Sequence, residues 1–545
     1  MTDLIFTGGP VVTLAPGAPE AEALAVTGGV ITAVGAAADV MALRTRWTRV
    51  VDLAGRALLP GFVEPHGHPV SVALCLAPPA VDVRPFTAPT GADVMRRVRT
   101  ALRTAAPGVP LMFYGIDVLL QSGLERPTMA WLDEIAPRNP VVVLSNSGHS
   151  AWGNTAMFAL AGIGRGTPAP AGSEIVRGPD GELTGEVRET PAVVRMTTPV
   201  VEASRSTVLD RLRWSYARHA AAGLTTVAEL GLDPALEPAL TALAAEPGCP
   251  LRVRAYEVGT PENAADPGHL APARVSADAP YARIGMKLWA DGTPWHGNIA
   301  TTFPYLDTDA TRRLGLEPCH HGGMNYPPEQ LAELAAAYTR QGWQLACHVH
   351  GDVSADAVLD AYEHSRAFAP ADWRPRLEHC GALRPDQFAR AASLGATVSL
   401  FIQHLYHWGD VLIDDLFGAE HGARWMAARS ALDAGLRVSL HNDGQCSPAD
   451  PLGNIATAVN RRTRGTGRVL APEQRLTVDQ ALRAQTIDAA WQLHLDDAVG
   501  SLEPGKRADL VVVSGNPRAV PPEALYDLRV ETTYRSGHPT FTAAE

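Results

Sequence analysis

In the segment GFVEPHGHP, His66 and His68 stand two residues apart, the spacing at which side chains share one face of a β-strand. Two imidazoles on one face offer a pair of nitrogen donors to a single divalent metal. An isolated HxH pair can equally be two ordinary loop histidines. This pair gains weight because more ligand types follow: Lys287 in RIGMKLWADG, His348 and His350 in QLACHVHGD, His379 in RLEHC and Asp443 in VSLHNDG. Each has a plain alternative. His379 could be a core histidine, Asp443 a turn residue before Gly444, and Lys287 a side chain reaching from a strand end to water. What decides between the readings is whether the fold gathers them.

The elements that would gather them are legible as alternating patterns. Strand-like runs occur near 61–66, 225–230, 251–258, 283–289, 344–349, 376–380, 397–401 and 437–443. Between most of them lie helical patterns such as STVLDRLRWSYARHAAAG, PPEQLAELAAAYTRQG, SADAVLDAYEHSRAF, RPDQFARAASLG and ARWMAARSALDAG, several opened by Pro, Ser or Asp and closed by Gly. Eight strand candidates with helical crossovers predict an α/β fold, a (β/α)8 TIM-like barrel over residues 61–495. The stretch from about 70 to 205 exceeds an ordinary connection and is expected to be an insertion after the first barrel strand. Short β-like runs fill residues 1–60 and recur in 496–545, so both termini are expected to build one small β-sandwich domain. A parallel barrel delivers all its strand C-termini to one rim. Four strands bringing imidazole or carboxylate to that rim, and one bringing lysine, make a metal site the economical reading.

At this point the chain resembles a known family. PGFVEPHGHP resembles the opening motif of the amidohydrolase superfamily. SNSGHSAWGNTAM, TGEVRETPA, MKLWADG, HVHGD, LEHC, HNDG and GSLEPGKRADLVVV resemble its amidohydrolase-3 (YtcJ-like) branch, in order and over nearly the whole chain. The resemblance implies a metal-dependent hydrolase of carbon–nitrogen bonds other than peptide bonds. It implies that His66 and His68 bind the more buried metal, that Lys287, carboxylated by CO2, bridges two ions, and that His348 and His379 hold the second. Asp443 would lie beside the hydrolytic water as ligand and proton carrier, and His149 in SGHSAW near the substrate carbonyl. His348 and His350 share a strand face, and the residues alone leave them undistinguished; the family spacing to Gly-Asp favours His348. Two positions depart from the family pattern: Glu64 stands where Asp is common, and HNDG replaces a more usual Ser-Asp pair.

The chemistry fits those residue types. Zn2+ accepts imidazole and oxygen donors, carboxylation of lysine requires the neutral amine and hence burial, and bound metal brings the pKa of water from 15.7 to roughly 7. The expected reaction is hydrolysis of a small molecule's amide, an N-acyl or N-formyl bond. Alternatives are deamination or cyclic-amide opening on the same scaffold, or a non-catalytic ligand-binding barrel. Trp152, Trp289, Trp295, Phe303, Tyr305, Tyr406 and Trp408 fall in segments expected near the mouth, where aromatic walls would suit an apolar substrate group.

Bulk composition narrows the partners. Hydrophobic residues make up 46% of the 545 and charged ones 19%, ample for a large core, and the net charge of −12 comes without a dense Lys/Arg run. That balance argues against a nucleic-acid partner or an anionic membrane. No run of 18 apolar residues suggests a spanning helix, and MTDLIFTGGPVVTL lacks the form of a secretory signal. The six cysteines are far apart with no CxxC pair, which fits reduced thiols in the cytoplasm. A small-molecule substrate is the expected partner, and a homodimer is one assembly the chain could adopt.

Overall fold

A computed structural model describes residues 2–170, 172–272 and 275–544. Its centre is one eight-stranded sheet, numbered here β1 (Phe62–Gly67), β2 (Leu224–Leu232), β3 (Arg252–Val258), β4 (Tyr281–Trp289), β5 (Gln344–Val349), β6 (Arg376–His379), β7 (Thr397–Leu400) and β8 (Val438–Leu440). The strands lie in chain order, and every recorded neighbour pair is parallel. All eight expected strand regions are present. β5 shows why they were legible: it is buried along its whole length, as parallel strands covered on both faces must be. At the seam between the first and last strands, the Asn442 backbone N–H, just past β8, donates to Glu64 Oε1 of β1 at 2.8 Å.

Helices Val208–Ala221, Pro328–Arg340, Asp352–Ser365, Pro385–Ser393 and Ala428–Asp433 occupy the helical patterns. Four of them are followed by a glycine in the left-handed region, Gly223, Gly342, Gly395 or Gly435, a conformation that ends a helix at no cost in Cβ strain.

The segment after β1 folds as a layer of its own. Six strands between Val81 and Arg188 form a mixed sheet, with helices Gly91–Thr104, Met129–Ile135, Thr155–Leu160 and Thr190–Ala203. The chain ends build two further sheets, one of four strands from residues 4–52 and one of six that joins Val11–Ala15, Ala18–Ala21 and Ala57–Pro60 to Leu510–Val513, Val530–Arg535 and His538–Thr542. Phe6, Leu24, Val26, Leu58, Leu510 and Tyr534 belong to one buried cluster shared by both sheets. All six cysteines are free thiols. Among the described residues, no helix is long and apolar enough to cross a membrane.

Candidate metal centre and its two compartments

The C-terminal ends of the barrel strands bring His66, His68, Lys287, His348, His350, His379 and Asp443 together. Three groups of donor atoms lie within 4.8 Å of one another: His66, His379 and His441; His348, His350 and His379; and His66, His68 and Asp443. Backbone conformation helps to aim them. His379, Cys380 and Asp443 all have φ between +58° and +69°, strained values for residues with a Cβ that concentrate at functional sites. The turn at His379 also breaks strand alternation, so that consecutive residues Glu378 and His379 both reach His66, at 2.5 Å from its Nδ1 and with ring centroids 4.5 Å apart, respectively. Gly444 lets the β8 loop close on β1: a Cβ there would stand 2.7 Å from His68 N.

Three of the strand-end rings, His66, His68 and His348, have one nitrogen held by a second residue, which frees the other. His66 Nδ1 donates to Glu378 Oε2, and its Nε2 lies 3.3 Å from both Asp443 Oδ1 and Lys287 Nζ. His68 Nδ1 faces Glu229 Oε1 at 3.5 Å, with Nε2 3.2 Å from Asp443 Oδ1. His348 Nε2 donates to the Gly292 carbonyl at 2.6 Å, leaving Nδ1 as its lone-pair donor. Outer partners of this kind fix the tautomer and orientation of a ligating imidazole. His350 differs: its Nδ1 is buried without a hydrogen-bond partner, and its ring stacks between His379 and His404.

The electrostatics match a cation site. Burial keeps His66, His348, His350, His379 and His441 neutral, with His350 lowered to about 3. Burial also pushes the Lys287 ammonium down to about 8. Burial opposes ionisation of Asp443, but the surrounding His379, His66 and His68 hold its carboxyl well below the usual range. Burial likewise opposes a charge on His68, yet Asp443 and Glu229 raise it to about 9. A proton thus sits where a metal would compensate the same carboxylates. His379 Nδ1, both His441 nitrogens and Glu64 Oε2 are buried polar atoms without a hydrogen-bond partner. His379 and His441 stand in one donor group with His66, and buried nitrogens left without a partner are the kind of donor a divalent ion takes up.

Several of these residues escaped the sequence reading. His441 stands two residues before Asp443, the same spacing that singled out His66 and His68, so the signal was available. Its ring stacks on His66 at 4.5 Å. Glu378, held at about 2 because the Arg376 charge outweighs its burial, carries no local signature. Glu189 is likewise silent in sequence: its Oε2 accepts from His149 Nδ1 at 2.8 Å. The carboxylate raises the His149 pKa against the effect of burial.

Two connected spaces stand over these ligands. The inner one, about 20 Å³, is lined by His149, His348, His350, His404, Phe401 and Asp443, among others. It shares Asn146, Ser147 and Trp295 with an outer cavity of about 500 Å³. The outer cavity is walled by the insertion (Asp117, Arg126, Trp152, Arg188) and by the long loop after β4 (Asn298, Leu314, Leu316, Met324). Its arginines are paired, Arg126 and Arg188 both with Glu186. Of the aromatic residues expected near the mouth, Trp152, Trp295 and Trp408 line these spaces. Trp289, Phe303, Tyr305 and Tyr406 do not line them; Tyr406 stacks on Tyr526 instead, and Tyr305 packs on Phe417. The departures at Glu64 and Asn442 both serve the seam: besides its backbone bond to Glu64, Asn442 exchanges side-chain hydrogen bonds with Asn454.

Comparison with known proteins agrees with this architecture. A family model described as an amidohydrolase family matches residues 49–541. The N-substituted formamide deformylase of Arthrobacter pascens is 30% identical over 549 residues, covering 98% of each chain. The putative amidohydrolase YtcJ of Bacillus subtilis is 24% identical, again over 98% of each. Among solved structures, an uncharacterized metal-dependent hydrolase from Pyrococcus horikoshii shares the fold with a TM-score of 0.72 at 21% identity, over 95% of this chain and 99% of the other.

Proposed function

The chain belongs to the amidohydrolase family, and from that premise we propose that it hydrolyses an N-substituted formamide or closely related short N-acyl amine. The observation that carries this reading is the pairing of a very small inner space with a large outer one. About 20 Å³ is room for roughly one water-sized group. Phe401 and Trp408 wall that space beside His348 and Asp443, so an acyl carbon bearing only hydrogen meets them with less overlap than a longer acyl chain would. The outer 500 Å³ accommodates a bulky substituent on nitrogen. The Arthrobacter relative is named for that one-carbon acyl group.

In this reading His66, His68, His348, His379 and Asp443 hold divalent metal, zinc by the chemistry of the donors. His348 is preferred to His350 because the Gly292 carbonyl fixes its tautomer. Lys287, buried and with its pKa lowered to about 8, offers the neutral amine that can take up CO2 and so supply a bridging oxygen. A divalent ion held by these residues would supply an acidified water, with a pKa of roughly 7, and a Lewis acid for the scissile carbonyl. Asp443 accepts the proton from the attacking water and delivers it to the departing nitrogen. His149, anchored by Glu189, faces the same inner space and serves as a polar aid to the substrate carbonyl. Residues 1–60 and 496–545 act as one supporting unit beside the catalytic residues 61–495. The free cysteines support a cytoplasmic setting.

The test is a panel of one amine bearing formyl, acetyl and butanoyl groups, assayed with metal-loaded and metal-stripped protein. The formyl compound is expected to exceed the acetyl in kcat/KM by about 100-fold, the scale set by one misfit methylene. Equal turnover of all three would sink the formamide assignment, and full activity of stripped protein would sink the metal mechanism.

A further inference from the structure

His404 lies in the first turn of helix Gln403–Val411, directly after β7. Its ring is buried against Phe401, at 4.2 Å between centroids, and Trp295, at 4.9 Å, and it stacks on His350 at 5.3 Å. Neither the sequence reading nor the proposed metal set gives it a task. Yet it lines the inner space beside Asp443 and His149.

Its tautomer is fixed by one contact. Trp425 Nε1 donates to His404 Nδ1 at 3.3 Å. An indole N–H donates but cannot accept, because its nitrogen pair belongs to the aromatic ring; Nδ1 must therefore be unprotonated, and a neutral ring then carries its hydrogen on Nε2. Burial, with the neighbouring His350 ring, also holds the His404 pKa well below the ordinary value. The ring therefore presents a neutral, preset N–H at its remaining polar atom. His149 is built in the opposite sense. The Glu189 carboxylate claims its Nδ1–H, so its free nitrogen is an acceptor when neutral and a donor only when charged.

We propose that His404, locked by Trp425 as the Nε2–H tautomer, donates a hydrogen bond to the substrate's acyl oxygen as that oxygen gains negative charge. The role rests on the amide-hydrolase reading above. A preorganised neutral donor in a water-poor space stabilises developing charge with little reorganisation. The carbonyl carbon gains a bond to the water oxygen, the C=O π pair moves onto the acyl oxygen, and the His404 proton stays on its nitrogen throughout.

The test compares wild type with His404→Phe, His404→Gln and Trp425→Phe, on an N-formyl amine and its thioformyl analogue, with metal content and melting recorded for each. Phe should lower kcat by about 100-fold with KM within threefold, and Gln, whose amide can donate from a similar place, should recover part of that loss. The loss should shrink on the thioformyl compound, because sulfur is the weaker acceptor. In 15N-histidine spectra the wild-type His404 signal should be that of the Nε2–H tautomer, and Trp425→Phe should populate the Nδ1–H form. An Nδ1–H or charged His404 in wild type would overturn the proposal. So would a metal-loaded, folded His404→Phe of wild-type activity, or equal losses on oxygen and sulfur substrates. Wild type inactive on every acyl amine would instead bring down the hydrolase reading itself, and this role with it.

Discussion

The inner and outer spaces meet at Ser147 and Trp295, yet they are built by different means. The inner one adds to insertion and loop residues a set that the outer one lacks, at or just past the ends of β5, β7 and β8: His348, His350, Phe401, His404 and Asp443. Its polar lining includes the imidazoles of His149, His348, His350 and His404, and of the rings in the cluster below, His66, His68 and His348 each have one nitrogen tied to a second residue. The outer one is walled by the insertion and by the loop after β4, with charges already neutralised by partners such as Glu186. Side chains on the central parallel sheet cannot shift without disturbing neighbouring strands, whereas loop and insertion residues can change independently. In the reading proposed here the strand ends hold the metal, the insertion and the loop after β4 choose the substituent on nitrogen, and His149 and His404 reach the reacting carbonyl from outside the strands.

The strongest way to break that division is His66→Ala. It removes a ring within reach of Asp443, Lys287 and Glu378 together. Turnover should fall by about 1000-fold or more, along with bound metal measured by elemental analysis. Retained metal and activity would mean that the centre lies elsewhere. A moderate effect is expected from Leu316→Ala in the outer wall. KM for bulky N-substituents should change by about 10-fold, while kcat and metal content hold. A loss of metal from that variant would show the two spaces to be one cooperative unit.

The smallest effect concerns pH. Asp117 lines the outer cavity, and burial raises its pKa although Trp408 Nε1 donates to Oδ2 at 2.8 Å. A carboxyl raised in the folded state contributes stability that is present below its unfolded pKa, about 3.9, and lost as pH rises through the folded value. Asp117→Asn should therefore flatten the fall in melting temperature across that window. An unchanged slope would show that Asp117 does not titrate between the two states.

Much of the inner site was legible because its signals are local. Strand-end position and the two-residue spacing pointed to His66, His68, His348, His379 and Asp443 before any coordinates. The same rule, applied once more, would have found His441. What remained hidden depends on residues far apart in sequence: Glu378 is 312 positions from His66 and Asp117 is 291 from Trp408. The His404–Trp425 pair is only 21 apart, but a π-helical stretch, Leu412–Phe417, and a short helix, Gly418–Gly422, intervene, and no periodicity announces it. The sizes of the two spaces follow from how the insertion docks, which no pattern within the insertion encodes. Trp289 and Tyr406 show the limit of reasoning from residue type: aromatic residues near a rim can pack away from it as readily as line it.

The seam between β1 and β8 sets a timetable. Glu64 must wait for Asn442, 378 residues later, and Ala57–Pro60 must wait still longer for Leu510–Val513 to complete its ladder. Contacts of such long range are slow to form. During synthesis His66 and His68 leave the ribosome hundreds of residues ahead of Asp443, the acid that faces them both. A chain released between positions 380 and 443 would carry Glu378 and His379 for His66 but lack the carboxylate of Asp443, which faces both His66 and His68.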